Sequence, residues 1–194
     1  MDPLYYRHLC GSRVDDLLRD GDTSFLSSLN GSFRRCQINA TAVNGVNTTN
    51  LGDCVPTLLQ VIEKFPDIEF IIQKNEETAP LWEGLLSKQN MPSNVTFLLD
   101  ESKGTGVFGG GWAYNVEGYS QAKLGFAGGI GISNISEVLK ELVANSNNMF
   151  WIDMESSLRS KKDDYDVFDL NKCYECIQAV IEMDLYRHPD FLCN

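Results

Sequence analysis

Three apolar segments in the second half of this 194-residue chain end in residues that could carry out acid–base chemistry or bind an anion. Asp100 ends the segment VTFLLD, and Gly128 and Gly129 follow the segment AKLGFA. Asp153 and Glu155 follow the segment FWI. In a parallel α/β fold, the loops after the carboxyl ends of the strands meet on one face. We therefore expect these five residues to be neighbours in space.

The three carboxylates are candidates for proton transfer. Asp100 at the end of an apolar strand is a candidate general acid or base, although such an aspartate can also simply cap a loop. Asp153 and Glu155 alternate along one predicted strand, so their side chains point to the same face and could act together as acid and base. Arg159 is expected to pair with one of them. The pair could also bind a divalent cation, but hard-cation sites usually need more oxygen ligands than it supplies, so we predict no metal.

The glycines suggest an anion site. Gly128 and Gly129 at a strand end allow a ligand to approach the backbone, and the start of the following helix favours negative charge. The alternative is a tight turn that requires positive φ. Lys103 stands close to Asp100 in sequence, where it could neutralise that carboxylate or a phosphate, or be solvated like an ordinary loop lysine.

Further candidates stand at the strand ends of the first half. His8 and Cys10 are two residues apart on a strand, so they share a face and could form a Cys–His pair, or His8 could be structural. Gln37, Asn39 and Gln73 end their strands, where their amides could orient a sugar or an amide group. Alternatively, these amides pair with one another inside the fold.

Composition limits the classes of partner. A net charge of −11 argues against a nucleic-acid ligand, because phosphate backbones are bound chiefly by clustered Lys and Arg. We find neither an apolar run long enough for a bilayer nor a secretion signal, which predicts a cytoplasmic protein with no membrane partner. The length suits one domain spanning residues 1–194. The six cysteines are expected to be reduced thiols. Cys173 and Cys176 are expected on the apolar face of a helix, packed in the protein core.

Strand and helix patterns alternate along the chain with a repeat of roughly 30 residues, typical of βαβ units. This alternation predicts an α/β fold with a parallel sheet and helices outside it. The predicted strands are Leu4–Leu9, Phe33–Asn39, Ile68–Gln73, Val95–Asp100, Lys123–Ala127 and Phe150–Asp153. The clearest predicted helices are Gly52–Phe65, Ser133–Val143 and Leu170–Met183, the last capped by Asp169. The glycine-rich segment Gly104–Gly111 is either a mobile rim loop or an ordinary connection.

Residues from about 95 to 183 contain LLD, then FAGGIG followed by SNISEVLKEL, then a final strand and helix. This order resembles the last third of phosphoribosylanthranilate isomerase. Arg7-His8-Leu9-Cys10-Gly11 is similar to the cysteine motif of the same family. The resemblance implies a TIM-type (β/α) barrel, a cofactor-independent isomerase of tryptophan biosynthesis, and a small phosphorylated metabolite as substrate. It also implies that Asp100 is the general acid, Cys10 the general base, and Gly128 and Gly129 the phosphate site.

Two features depart from that family. A closed barrel needs eight strands and this chain has about six, so we expect an incomplete barrel: either one that lacks its first two strands, or a partial barrel that covers its open edges as a homo-oligomer. The last strand also ends in Asp153 and Glu155, where the family has a small phosphate-binding turn. The prediction is an isomerase or lyase acting on a phosphorylated sugar-type molecule, or a non-catalytic relative that binds a small ligand or a protein partner.

Overall fold

The computed structural model describes residues 6–28, 33–88, 90–100, 102, 124–145 and 149–185. Within them, six strands form one all-parallel sheet whose strand order is the order of the chain. This sheet confirms the predicted α/β class. The strands are β1 (Tyr6–Leu9), β2 (Arg35–Ile38), β3 (Glu69–Lys74), β4 (Val95–Asp100), β5 (Leu124–Ala127) and β6 (Phe150–Ile152).

Helices connect the strands. They are α1 (Ser12–Asp15), which continues into a π-helical turn (Asp16–Asp20), α2 (Ser24–Ser28), α3 (Val55–Lys64), α4 (Ala79–Leu86), α5 (Ile135–Asn145) and α6 (Leu170–Glu182). The three predicted helices are confirmed as α3, α5 and α6. Asp169 caps α6 as expected, since its carboxylate accepts the backbone N–H of Asn171 at 3.0 Å. Cys173 and Cys176 of α6 pack in the core, also as predicted.

The sheet has two different faces because successive side chains of a strand point to opposite sides. On one face, Phe97 and Leu99 of β4 join a large apolar core to which all six helices contribute. On the other face, Leu98 joins only a small cluster with Ile71, Ala127 and Trp151. The helices thus cover one face of the sheet, and the opposite face is left to line a cavity.

The sheet curves strongly toward the face that carries Leu98 and Trp151. Trp151 of β6 stacks on the guanidinium of Arg35 of β2, with 4.5 Å between the guanidinium carbon and the ring centroid. In a flat sheet, four strand spacings of about 4.8 Å would hold these residues roughly 19 Å apart. The Trp151 ring crosses β5 at Gly125, where an added Cβ would stand only 2.2 Å from the ring. Glu69 of β3 completes this packing with an ion pair to Arg35 at 2.9 Å.

Closure into a barrel is not seen among the described strands. β1 pairs only with β2, and β6 pairs only with β5, so these two strands form the edges of the sheet. The described helices include none that is long and apolar enough to cross a bilayer. Leu4, Tyr5, Lys123 and the segment Gly104–Gly111 lie outside the described residues.

A β-hairpin between β6 and α6 was not predicted. It pairs β7 (Arg159–Lys162) with β8 (Tyr165–Phe168) in antiparallel fashion, and its turn holds Asp163 at φ 55°. The sequence RSKK has low β-propensity, which explains why β7 was missed. The predicted pairing of Arg159 with Asp153 or Glu155 is wrong. Its Nε instead bonds Asp166 Oδ2 across the hairpin at 2.6 Å.

Replacing Gly125 with alanine tests the crossing of Trp151 over β5. The added methyl group would overlap the indole ring, and overpacking of this kind costs about 1–3 kcal/mol of unfolding free energy. We expect urea denaturation to show that loss. Gly52→Ala is the matched control, because a Cβ there makes only ordinary contacts at 3.6 Å with Pro80. Equal stability of both variants would contradict the proposed packing.

Candidate functional site

A cavity of about 460 Å³ opens at the carboxyl ends of the strands. It brings together every predicted site residue except Lys103 and Arg159, which confirms that the strand ends meet on one rim. The predicted residues lining it are His8, Cys10, Gln37, Asn39, Gln73, Asp100, Gly128, Gly129, Asp153 and Glu155. Residues not predicted are Asn44, Leu98, Ser102, Ala127, Ile130, Met154, Ser156 and Ser157. Lys103 lies outside the described residues.

Asp100 is held in the wall of the cavity by donors on both of its oxygens. Gln73 Nε2 donates to Oδ2 at 2.7 Å, and the Ser102 backbone N–H donates to Oδ1 at 3.1 Å. The Ser102 hydroxyl also donates to Oδ1. The side chain is only 6% exposed. An ionised carboxylate can accept all three bonds, which fix the orientation of Asp100 in the cavity wall.

The glycine turn after β5 packs directly on Asp100. Gly128 has φ +100°, and a Cβ there would stand 3.2 Å from Asp100 Oδ1 and 3.2 Å from Ser102 Cβ. Gly129 has φ +67°. The alternative of a turn that requires positive φ is thus confirmed. The turn also lines the cavity, and its role as a phosphate site stays a prediction.

Asp153 has a different environment from Asp100. It follows β6, and its backbone N–H donates to the Phe126 carbonyl at 2.9 Å. Burial raises the pKa of Asp153 above its ordinary value. His8 opposes that rise in pKa, while Glu155 and Asp100 add to it through like charge. Asp153 is therefore the carboxyl group in this cavity that is suited to carry a proton.

A chain of hydrogen bonds runs through the polar wall formed by the first two strands and the loop after β2. Gln37 Nε2 donates to Asn39 Oδ1 at 2.5 Å, and Asn39 Nδ2 donates to Cys10 Sγ at 3.4 Å. The Cys10 thiol donates to Asn44 Oδ1 at 3.8 Å, and Asn44 Nδ2 donates to Thr41 Oγ1 at 2.7 Å. The predicted alternative of paired amides is confirmed for Gln37 and Asn39.

The thiol of Cys10 is engaged by amides and not by His8, although both residues line the cavity as predicted. The sequence did not predict the bond between Cys10 and Asn44, because Asn44 lies in a loop 34 residues after Cys10. Ser102 had a weak signal, because a serine two residues after an aspartate often bonds its carboxylate. Within the described part of the chain, no group of three or more His, Cys, Asp or Glu side chains could hold a metal ion.

No protein-family model matches this chain, and neither a curated protein nor a solved structure is significantly similar to it. The family resemblance drawn from its motifs therefore stays a prediction. What is known of the site comes from its own geometry.

Asp153→Asn tests the burial of this carboxyl group through the pH dependence of stability. Because the pKa of Asp153 is raised on folding, its ionisation costs stability as pH increases from about 4 through the folded pKa. We expect the variant to melt a few °C above the wild type at pH 7, where roughly 1 kcal/mol shifts the midpoint by about 2–4 °C. The difference should vanish at about pH 2, where the carboxyl group is protonated in both the folded and the unfolded state. A variant less stable than the wild type at pH 7 would refute this account.

Proposed function

We propose that this chain is a cofactor-independent enzyme of the isomerase or lyase type that moves protons on a small polar substrate. The observation that supports it is the meeting of Asp100 and Asp153, from β4 and β6, at one cavity. Two carboxyl groups that face one bound substrate can divide the roles of general base and general acid. The cavity volume is also in the usual range for small-molecule sites.

The environments of the two carboxyl groups suggest their roles. Asp100, which accepts three hydrogen bonds, takes a proton from a carbon or hydroxyl group of the substrate. Asp153, whose pKa is raised, gives a proton to another atom of the substrate or to a leaving group. In an isomerisation the two transfers leave the substrate's composition unchanged. Exchange with water then returns both groups to their starting states.

The architecture supports a distant relationship to the (β/α) barrels. The strand order follows the chain without reversal, the helices cover one face, and the cavity lies at the carboxyl ends of the strands. We propose an incomplete TIM-type barrel whose ancestor resembled phosphoribosylanthranilate isomerase. In that ancestor, the turn that corresponds to Gly128 and Gly129 would have held the family's phosphorylated substrate.

A non-catalytic ligand-binding protein is the second candidate. It is favoured by the hydrogen bonds of Cys10, because the thiol that the resemblance assigns as general base is engaged by Asn39 and Asn44. A protein of this kind would retain the cavity without turning over its ligand. Ligand-induced stabilisation with no chemical change would be its signature.

Deuterium incorporation tests proton transfer without knowledge of the substrate. Incubated in D2O with a metabolite extract, the protein should label at least one compound at carbon, as detected by mass spectrometry. Asp100→Asn and Asp153→Asn should each reduce labelling about 10²- to 10⁴-fold, the usual contribution of a general acid or base. Glu137→Gln is the control, since Glu137 is exposed on α5 outside the cavity. Labelling that survives in both cavity variants would reject the assigned roles.

Complementation tests the family resemblance itself. If the chain retains the isomerase activity, it should restore growth of a tryptophan-requiring strain that lacks phosphoribosylanthranilate isomerase. Asp100→Asn should abolish that growth at equal protein level, and Glu137→Gln should not. Failure to complement, combined with deuterium labelling of another compound, would retain an acid–base enzyme and reject this substrate.

A further inference from the structure

The amide side chains of the cavity each donate a hydrogen bond within the protein. Each of the four amide side chains that line it donates to a protein acceptor: Gln37 to Asn39, Asn39 to Cys10, Asn44 to Thr41 and Gln73 to Asp100. The hydroxyl groups of Ser102 and Ser157 donate to Asp100 and to the Ile130 carbonyl. Each amide NH2 has a second N–H, so these side chains offer an anionic ligand neutral donors and no positive charge.

Acceptors, by contrast, are left over. Gln73 is 2% exposed and lines the cavity, and its Oε1 has no hydrogen-bond partner among the described residues. The carboxylates of Asp153 and Glu155 likewise accept no hydrogen bond from the described part of the chain. A buried acceptor without a donor costs free energy, so a ligand that brings a donor to Gln73 Oε1 is favoured here. The half-buried Asp153 and the exposed Glu155 can accept further hydrogen bonds from the same ligand.

The charge of the lining points the same way. Three carboxyl groups line the cavity, those of Asp100, Asp153 and Glu155, and a bound cation would favour the ionised form of Asp153. Against them the described lining sets only His8 and no Lys or Arg. A phosphate would meet like charge in a partly buried site. A protonated nitrogen group would instead form charge-assisted hydrogen bonds, which are stronger than neutral ones.

We propose that this cavity binds a small molecule carrying an ammonium or guanidinium group, which hydrogen-bonds to Asp153, Glu155 and the free oxygen of Gln73. The inference rests on the cavity being the ligand site of the proposed function, but not on catalysis. It replaces the phosphorylated substrate implied by the family resemblance with a cationic one. Gly128 and Gly129 then serve to keep the turn close against Asp100 rather than to hold an anion.

Nuclear magnetic resonance titration of the ¹⁵N-labelled chain tests the charge of the ligand. The probes are methylammonium, guanidinium and inorganic phosphate, each added to about 50 mM at constant ionic strength, a range that limits screening differences. We expect saturable shifts of the Gly128, Gly129 and Asp153 amide signals with the two cations and none with phosphate. In an Asp153→Asn/Glu155→Gln variant, cation affinity should fall at least about 10-fold, as expected when charge-assisted bonds are lost.

The controls separate the outcomes. Glu137→Gln should bind the cations like the wild type, and a dispersed spectrum of the double variant would show that it is folded. Saturable shifts with phosphate, or no saturable shifts with either cation, would overturn the proposal. Cation binding without deuterium incorporation would keep the ligand class and reject the enzyme. Deuterium incorporation without cation binding would keep the enzyme and reject the cationic ligand.

Discussion

The stacking of Trp151 on Arg35 is the contact on which the rest of the structure depends. It joins β6 to β2 across the sheet, and Gly125 makes it possible by leaving β5 free of a side chain beneath the indole. The ion pair of Arg35 with Glu69 fixes the guanidinium from its other side. Because the sheet is curved in this way, residues from its two edges, such as His8 and Asp153, line the same cavity.

Curvature acts on a sheet whose two faces already differ in polarity. The face covered by helices is mainly apolar, whereas the concave face has only Ile71, Leu98, Ala127 and Trp151 as an apolar cluster. Polar groups above this cluster must find partners, since unpaired buried groups are costly. The chain of bonds from Gln37 to Thr41 meets that need along one wall, and the bonds to Asp100 meet most of it along another.

The sequence was a good guide where local patterns decide the structure. Apolar segments predicted all six strands of the sheet, and their ends predicted which residues meet at the rim. The sequence did not show which distant side chains would pair. The bond of Cys10 to Asn44 and that of Arg159 to Asp166 depend on how loops and a hairpin fold, and β7 has none of the residues typical of strands. α4 was missed although Pro80 in its first turn is a usual start signal.

Asp100 and Asp153, two of the carboxyl groups that line the cavity, show why a resemblance of motifs is a weak guide to mechanism. The resemblance implies that Asp100 is a general acid, whereas in the structure donors already occupy both of its oxygens. Asp153 has burial and two neighbouring carboxylates in favour of its protonated form, with His8 and Arg35 opposing. A carboxyl group can act as a general acid only if its environment favours the protonated form. β6, after which the chain departs most from the family resemblance, leads directly into the carboxyl group whose pKa is raised.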